Sequence, residues 1–183
     1  MTHVTLAVTG SISAYKAADI TSQLGKLGYS VSVLMTEAAS HFITPLTLQV
    51  LSKNPVSLDL MYEPRPDKVN HIEIGKETNL FLVAPATANT IAKLANGLAD
   101  NMVTATALAL PSHVKKAIAP AMNTKMHENP LTQHNLERLK KFGWEIIAPR
   151  EAVLACGDHG TGALADVNII IEKVKEIINE KTI

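Results

Sequence analysis

Four segments of this 183-residue chain gather small, polar and glycine residues where a strand would turn into a helix. The first, Thr9-Gly10-Ser11-Ile12-Ser13-Ala14, follows an apolar run at 4–8. Glycine lets the backbone come close to a ligand, a helix opening offers unpaired N–H groups, and Ser11 and Ser13 add hydroxyls. That donor set suits a phosphate monoester, and it equally describes a capped helix after a tight turn. The second is Ala84-Pro85-Ala86-Thr87-Ala88-Asn89-Thr90. Its alanines leave room for a planar ring while Thr87, Asn89 and Thr90 offer polar contacts; Thr87 also reads as a simple N-cap. In the third, Ala119-Pro120-Ala121-Met122-Asn123, the Asn123 amide either holds a carboxylate without adding charge or serves a turn. The fourth, residues 155–162, holds three glycines and the single cysteine, Cys156. Its composition predicts a mobile loop, with Cys156 either a buried small hydrophobe or a proton donor. Of the seven histidines, His71 is singled out, since it follows a proline-rich stretch and precedes Ile72-Glu73-Ile74.

Other chemistries fit less well. Cys156 and His159 have no second cysteine and no HExxH pattern beside them, so no metal site is expected. A nicotinamide dinucleotide would ask for GxGxxG, of which only Gly10 is present. Glu37 could hold a ribose but lies further from Gly10 than the usual spacing of about 20 residues.

The elements that must position these turns follow from hydrophobic patterning. Short apolar runs at 4–8, 29–35, 79–84, 114–119 and 144–148 read as at least five strands buried on both faces. Ala17, Ile20, Leu24 and Leu27 share one helical face that stops at Gly28, with Ser11 or Ser13 as its cap. Further helices are expected over 90–96, stopping at Gly97, over 101–110, capped by Asp100, and along Leu136, Leu139 and Phe142 to Gly143. A last charged helix carries Ile170, Val174 and Ile177 on one face. Alternating strands and helices imply an α/β single domain over 1–183: a three-layer parallel sheet with helices on both faces. The 60–70 stretch, with two prolines, reads as a surface loop.

Composition sets the outer bounds. Seventeen basic and 17 acidic residues cancel, which argues against nucleic acid as a partner. One cysteine forms no internal disulfide and points to a reducing compartment. No apolar run approaches the roughly 18 residues that span a bilayer, and no basic region precedes residues 4–8, so neither membrane nor signal peptide is expected. A cytoplasmic location follows from these together.

Taken in order, GSISAYK (10–16), NHIEI (70–74), APATANT (84–90), PAMNTKM (120–126) and ACGDHGTG (155–162) resemble the flavin-dependent cysteine decarboxylases. The resemblance spans nearly the whole chain and is strongest to members acting on 4′-phosphopantothenoylcysteine in coenzyme A biosynthesis. It implies a Rossmann-like, flavodoxin-type subunit that binds FMN and assembles as a trimer or a multiple of trimers. Gly10, Ser11, Ile12 and Ser13 then correspond to the phosphate site. Thr36, with Thr87, Ala88, Asn89 and Thr90, corresponds to the ribityl and isoalloxazine contacts. His71 corresponds to the active-site histidine, Asn123 to the residue holding the substrate carboxylate, and Met126 to a substrate contact. Cys156 corresponds to the proton donor on a flap. The implied reaction oxidises the cysteinyl thiol to a thioaldehyde, so that the departing CO₂ leaves its electrons on C=S. The resulting enethiolate is then reduced and protonated to 4′-phosphopantetheine. The division of labour leaves electron storage to the cofactor and orientation to the protein.

Two positions depart from the family pattern: Ala163, where many members carry arginine after the flap, and His127, where many carry tryptophan. A peptidyl-cysteine decarboxylase need not keep the flap cysteine, so Cys156 favours the pantothenoyl substrate. Flavin prenyltransferases differ at the APATANT and PAMN positions, and phosphatase-binding regulatory relatives lose catalytic residues and gain acidic tails. The synthetase that precedes this step is fused C-terminally in many bacterial relatives. With the chain ending at Ile183 after one helix, a separate synthetase is expected.

Overall fold

The computed structural model describes residues 1–179; the expected domain boundary at Ile183 lies outside them. Six parallel strands form the central sheet: β1 (His3–Val8), β2 (Ser30–Met35), β3 (Val56–Ser57), β4 (Leu80–Ala86), β5 (Lys115–Pro120) and β6 (Trp144–Ile146). Their order is β3-β2-β1-β4-β5-β6. Without the two-residue edge strand β3, the remaining order is that of a flavodoxin-type sheet, as the family resemblance implies.

Burial on both faces explains the near-continuous apolar runs. Five of the six β1 residues and all seven of β4 are buried, which only a covered parallel sheet requires. One face packs Val4, Leu6 and Val8 of β1 against α1 (Ala17–Lys26) and α9 (Val167–Asn179). Ile20 and Leu24 from α1 meet Ile170, Val174 and Ile177 from α9 in that core, and Leu48 of α3 (Pro45–Ser52) joins them. The opposite face packs Phe81, Val83 and Ile118 against residues of α5 (Ala88–Asn96), α6 (Met102–Leu108) and α8 (Pro130–Lys141). Phe81 meets Trp144 edge-on, ring centroids 6.2 Å apart and planes at 88°. Among the described residues this pair is the core's one large ring contact; full burial of a side chain such as Phe81 contributes about 1.5–3 kcal/mol.

The remaining elements are short: α2 (Glu37–Ser40), α4 (Asn70–Glu77), α7 (Thr124–Glu128), a 3-10 turn at Ile12–Lys16, and an antiparallel hairpin of β7 (Arg150–Val153) and β8 (His159–Ala163). The sequence reading placed no strand in that hairpin and no element in 37–57. Leu46 and Val50 of α3 are about two-thirds exposed, so its apolar residues do not trace one buried face. Two caps are corrected: Ser11 caps the 3-10 segment at Ile12–Lys16, and α1 follows it from Lys16 with no side-chain cap. Asn101, not Asp100, opens α6: its side chain accepts from Thr104 N at 3.1 Å while the Thr104 hydroxyl accepts from Asn101 N at 3.3 Å. That reciprocal box needs three-residue spacing, and Asp100 instead pairs with Lys93.

At the carboxyl end of the sheet, β1 and β4 are adjacent, yet their following connections run to opposite sides. Thr9, fully buried, joins the two ends. Its hydroxyl donates to Pro85 O at 2.7 Å and accepts from Thr87 N at 3.0 Å, while Thr9 N donates to Pro85 O at 3.3 Å. Thr9→Val keeps the shape and removes the hydroxyl, leaving the part-buried Thr87 N–H without its partner, at a cost of about 1 kcal/mol, the low end for an unpaired buried donor. Urea denaturation checks this: the midpoint falls with unchanged slope, and Thr9→Ser stays near wild type.

Candidate active site

In open α/β sheets a crevice forms where the strand order reverses, and here that point lies beyond β1 and β4. Three capped N-termini converge on it. Ser11 accepts from Ser13 N at 3.2 Å, Thr36 caps α2 by accepting from Ala39 N at 3.3 Å, and Thr87 caps α5 by accepting from Thr90 N at 3.3 Å. Gly10 sits so close to Ala38 that an added Cβ would lie 2.5 Å from the Ala38 Cβ. Only glycine lets the β1 turn and α2 approach this far.

Two cavities open around these turns. The first, about 400 Å³, is lined by Gly10, Thr36, Thr87, Asn89 and Thr90, together with Glu37 and the Lys93–Asp100 pair. Five of the nine residues expected at the cofactor therefore share one wall. Ser11, Ile12 and Ser13 line the second cavity, of about 370 Å³; Ala88 lies in the first turn of α5 and lines neither. Hydroxyls, helix-opening N–H groups and a glycine-tight backbone form a donor set that fits a phosphorylated polyol such as FMN.

The second cavity is roofed by the β7–β8 hairpin, and its lining includes Asn123, Cys156 and Ala163. Lys16 and Arg150 add positive charge, Arg150 Nε standing 3.2 Å from Asp166 Oδ1. Asn123 opens α7, where its Oδ1 accepts from Lys125 N at 2.9 Å, leaving its NH₂ group pointed at the flap. That Nδ2 donates to Cys156 Sγ at 3.1 Å and to Asp158 Oδ2 at 3.4 Å, and Cys156 Sγ donates to Asp158 Oδ2 at 3.5 Å. Cys156 is exposed, so of the two readings open in the sequence the buried hydrophobe is excluded.

The hairpin is seated by backbone. Met122 N donates to Gly162 O at 2.9 Å, and a Cβ at Gly162 would lie 2.3 Å from Met122 O. Gly160 also crosses Thr124 closely, an added Cβ falling 2.7 Å from its Oγ1. Two of the three glycines that suggested mobility, Gly160 and Gly162, thus permit docking, while Gly157 meets nothing within 4 Å and turns the loop at a positive φ of +88°.

His71 stands apart. It is the second residue of α4, lines neither cavity, and its Nδ1 is buried without a hydrogen-bond partner. Helix α4 is held by Thr78, whose hydroxyl donates to Ile74 O at 2.6 Å and contacts the Thr5 hydroxyl at 2.6 Å. On its surface Glu73 binds Lys68 and Lys76, which hold its carboxyl down at about 2. Met126 is half exposed and lines neither cavity. Burial lowers the His127 imidazole below its ordinary value, and its Nδ1 is likewise unpartnered. Among the described residues no cluster of three or more His, Cys, Asp or Glu could hold a metal, and no helix is long and apolar enough to cross a membrane. Thr9 and Asp158 were missed in the sequence, although both stand inside the motif-bearing turns.

A model of the Flavoprotein family matches residues 1–179. The chain belongs to that family. It is 62% identical over 173 residues to a probable phosphopantothenoylcysteine decarboxylase of Streptococcus mutans serotype c, covering 94% of this chain and 97% of that protein. It is 43% identical over 180 residues to the coenzyme A biosynthesis bifunctional protein CoaBC of Bacillus subtilis. That match takes in 98% of this chain but 44% of the relative, so the chain spans less than half of the bifunctional protein. Among solved structures, a PPC decarboxylase mutant complexed with pantothenoylaminoethenethiol matches with a TM-score of 0.85 at 32% identity, covering 96% of this chain and 97% of that one.

In this Flavoprotein chain, the flap's seat depends on the bare backbone at Gly162. Gly162→Ala forces its carbon onto Met122 O, so the hairpin lifts while both cores stay intact. Limited proteolysis is expected to cut within 150–163 several-fold faster than in wild type, with thermal stability nearly unchanged. Equal cleavage rates would show that the flap docks by other means.

Proposed function

We propose that the protein is an FMN-dependent carboxy-lyase that converts 4′-phosphopantothenoylcysteine to 4′-phosphopantetheine in coenzyme A biosynthesis. The observation that carries the reading is the Asn123–Cys156 pair under a glycine-seated flap, beside a cavity suited to a phosphorylated polyol. The relatives' names point the same way.

Gly10, Ser11, Ile12 and Ser13 hold the FMN phosphate through backbone N–H and hydroxyl groups; Thr36 and residues Thr87, Ala88, Asn89 and Thr90 hold its polyol and ring. FMN, when bound, supplies reversible two-electron oxidation of the substrate thiol. Asn123 Nδ2 donates to the substrate carboxylate and turns the bond to be broken toward the electron-accepting C=S group. A fixed orientation of this kind replaces a search by the free molecule. When CO₂ leaves, the flap excludes water and Cys156 Sγ–H gives its proton to the carbon that bore the carboxylate. Lys16 and Arg150 suit an anionic, phosphorylated substrate better than an uncharged peptide; Met126, outside both cavities of one protomer, would contact substrate only once the site is completed on assembly.

His71 Nδ1, unpartnered, is available to take or return the substrate's proton. Since His71 lines neither cavity of one protomer, the reading has the site completed on assembly, as a homo-oligomer that is a trimer or a multiple of trimers. The protein acts in the cytoplasm as one flavoprotein domain, supplied by a separate synthetase that joins cysteine to 4′-phosphopantothenate. A relative matched over 97% of its own length supports that separation.

Purified protein is expected to be yellow and to release CO₂ from 4′-phosphopantothenoylcysteine without added nicotinamide. A preparation that cannot be loaded with FMN refutes the reading. Cys156→Ser is expected to release CO₂ yet accumulate the oxidised aminoethenethiol, read by mass spectrometry as a product two hydrogens lighter, its electrons passing to dissolved dioxygen. His71→Asn is expected to keep FMN, measured by absorbance, and to lose CO₂ release by 10²-fold or more, within the range for general acid–base groups of about 10²–10⁴.

A further inference from the structure

We propose that Asp158 is a positioning residue that occupies the substrate-carboxylate position on Asn123 until substrate arrives, and reclaims it once CO₂ has left. The inference rests on the decarboxylase reading and adds a group that reading does not use. Asn123 has one NH₂ group facing the cavity, since its Oδ1 is taken by Lys125 N. That group donates to both Cys156 Sγ and the Asp158 carboxylate, at 3.1 and 3.4 Å. A substrate carboxylate bound to Asn123 must therefore displace an existing carboxylate. Two carboxylates sharing one neutral amide repel each other and cannot both be satisfied there.

Asp158 also accepts from the Cys156 thiol, so the two residues move as a unit. Their turn is closed by Gly157 N donating to Leu154 O and Leu154 N donating to Asp158 O, each at 2.8 Å. Substrate entry pushes Asp158 away from Asn123 and withdraws the thiol with it. Loss of CO₂ removes the competing charge, Asp158 returns to Asn123, and Cys156 Sγ is brought to the carbon just vacated. There the S–H bond breaks and a C–H bond forms; the thiolate then takes a proton from water. Protonation is thereby ordered after decarboxylation, and the intact substrate is not met by the acid.

Equilibrium binding separates this role from a merely structural one. The probes are 4′-phosphopantothenoylserine, which keeps the carboxylate and lacks the reactive thiol, and its decarboxylated counterpart, 4′-phosphopantothenoylaminoethanol. In Asp158→Asn, of the same shape without the charge, the serine probe is expected to bind about three- to tenfold tighter, the margin between charged and neutral acceptors. The aminoethanol probe should bind as to wild type, and Asp158→Glu should restore weak binding of the serine probe. In turnover, Asp158→Asn should lower KM and divert part of the product to the oxidised aminoethenethiol, with two electrons passing to dioxygen for each such product. Equal tightening of both probes, or no tightening of the serine probe, overturns the assignment while leaving the decarboxylase reading intact. A wild-type holoenzyme that releases no CO₂ overturns both.

Discussion

The hydroxyl of Thr9 is the fixed point of the active end of the sheet. Strand ladders satisfy backbone groups only while the strands run side by side; where β1 and β4 part, their last polar groups need other partners. Thr9 supplies them from inside the core, bonding Pro85 O and Thr87 N at once. Its effect is positional as well as energetic. The turn entering the 3-10 segment and the turn entering α5 are held at one depth, so Ser11 and Thr87 open their helices toward the same crevice.

From that point the bonding continues across the sheet. Ala121 N donates to Ala86 O at 2.9 Å, linking the β5 turn to the β4 turn, and Met122 N donates to Gly162 O, linking the β5 turn to the flap. Residues 9, 86, 121 and 162 are far apart in sequence, yet each of these turns is bonded to the next. The two cavities are therefore neighbours by construction. A shift of the β1 turn is transmitted to the Asn123 loop and the hairpin through backbone contacts, with little side-chain freedom to absorb it.

Much of this frame was legible in the sequence. The apolar runs marked β1, β2, β4, β5 and the three-residue β6; in β1 and β4, burial on both faces removes the alternation of a half-exposed strand. Gly97 and Gly143 marked helix ends, and both adopt positive φ, +70° and +80°. What escaped were features fixed by tertiary contact. A threonine after an apolar run looks like the strand's own continuation, and nothing local tells that Thr9 bonds a residue 76 positions away. The β7–β8 hairpin carries glycines that read as looseness until Met122 and Thr124 come to lie against them. Asp100 resembles a cap as well as Asn101 does, and only the return bond from Thr104 decides between them. For His71 the motif gave a role but not a place, since neither cavity of one protomer includes it.

The choice of an amide at position 123 follows from where charge moves in the proposed reaction. A decarboxylation begins with its negative charge on the carboxylate and passes that charge to sulfur as the C–C bond breaks. An arginine on the carboxylate would stabilise the starting state more than the transition state, and so would slow the step it seemed to assist. Asn123 orients the group with a weaker hold. The cations of the second cavity, Lys16 and Arg150, make no hydrogen bond to Asn123. Asp158 completes the same logic. A negative group that must be pushed off Asn123 weakens binding of the substrate carboxylate and leaves binding of the product, which lacks one, unopposed.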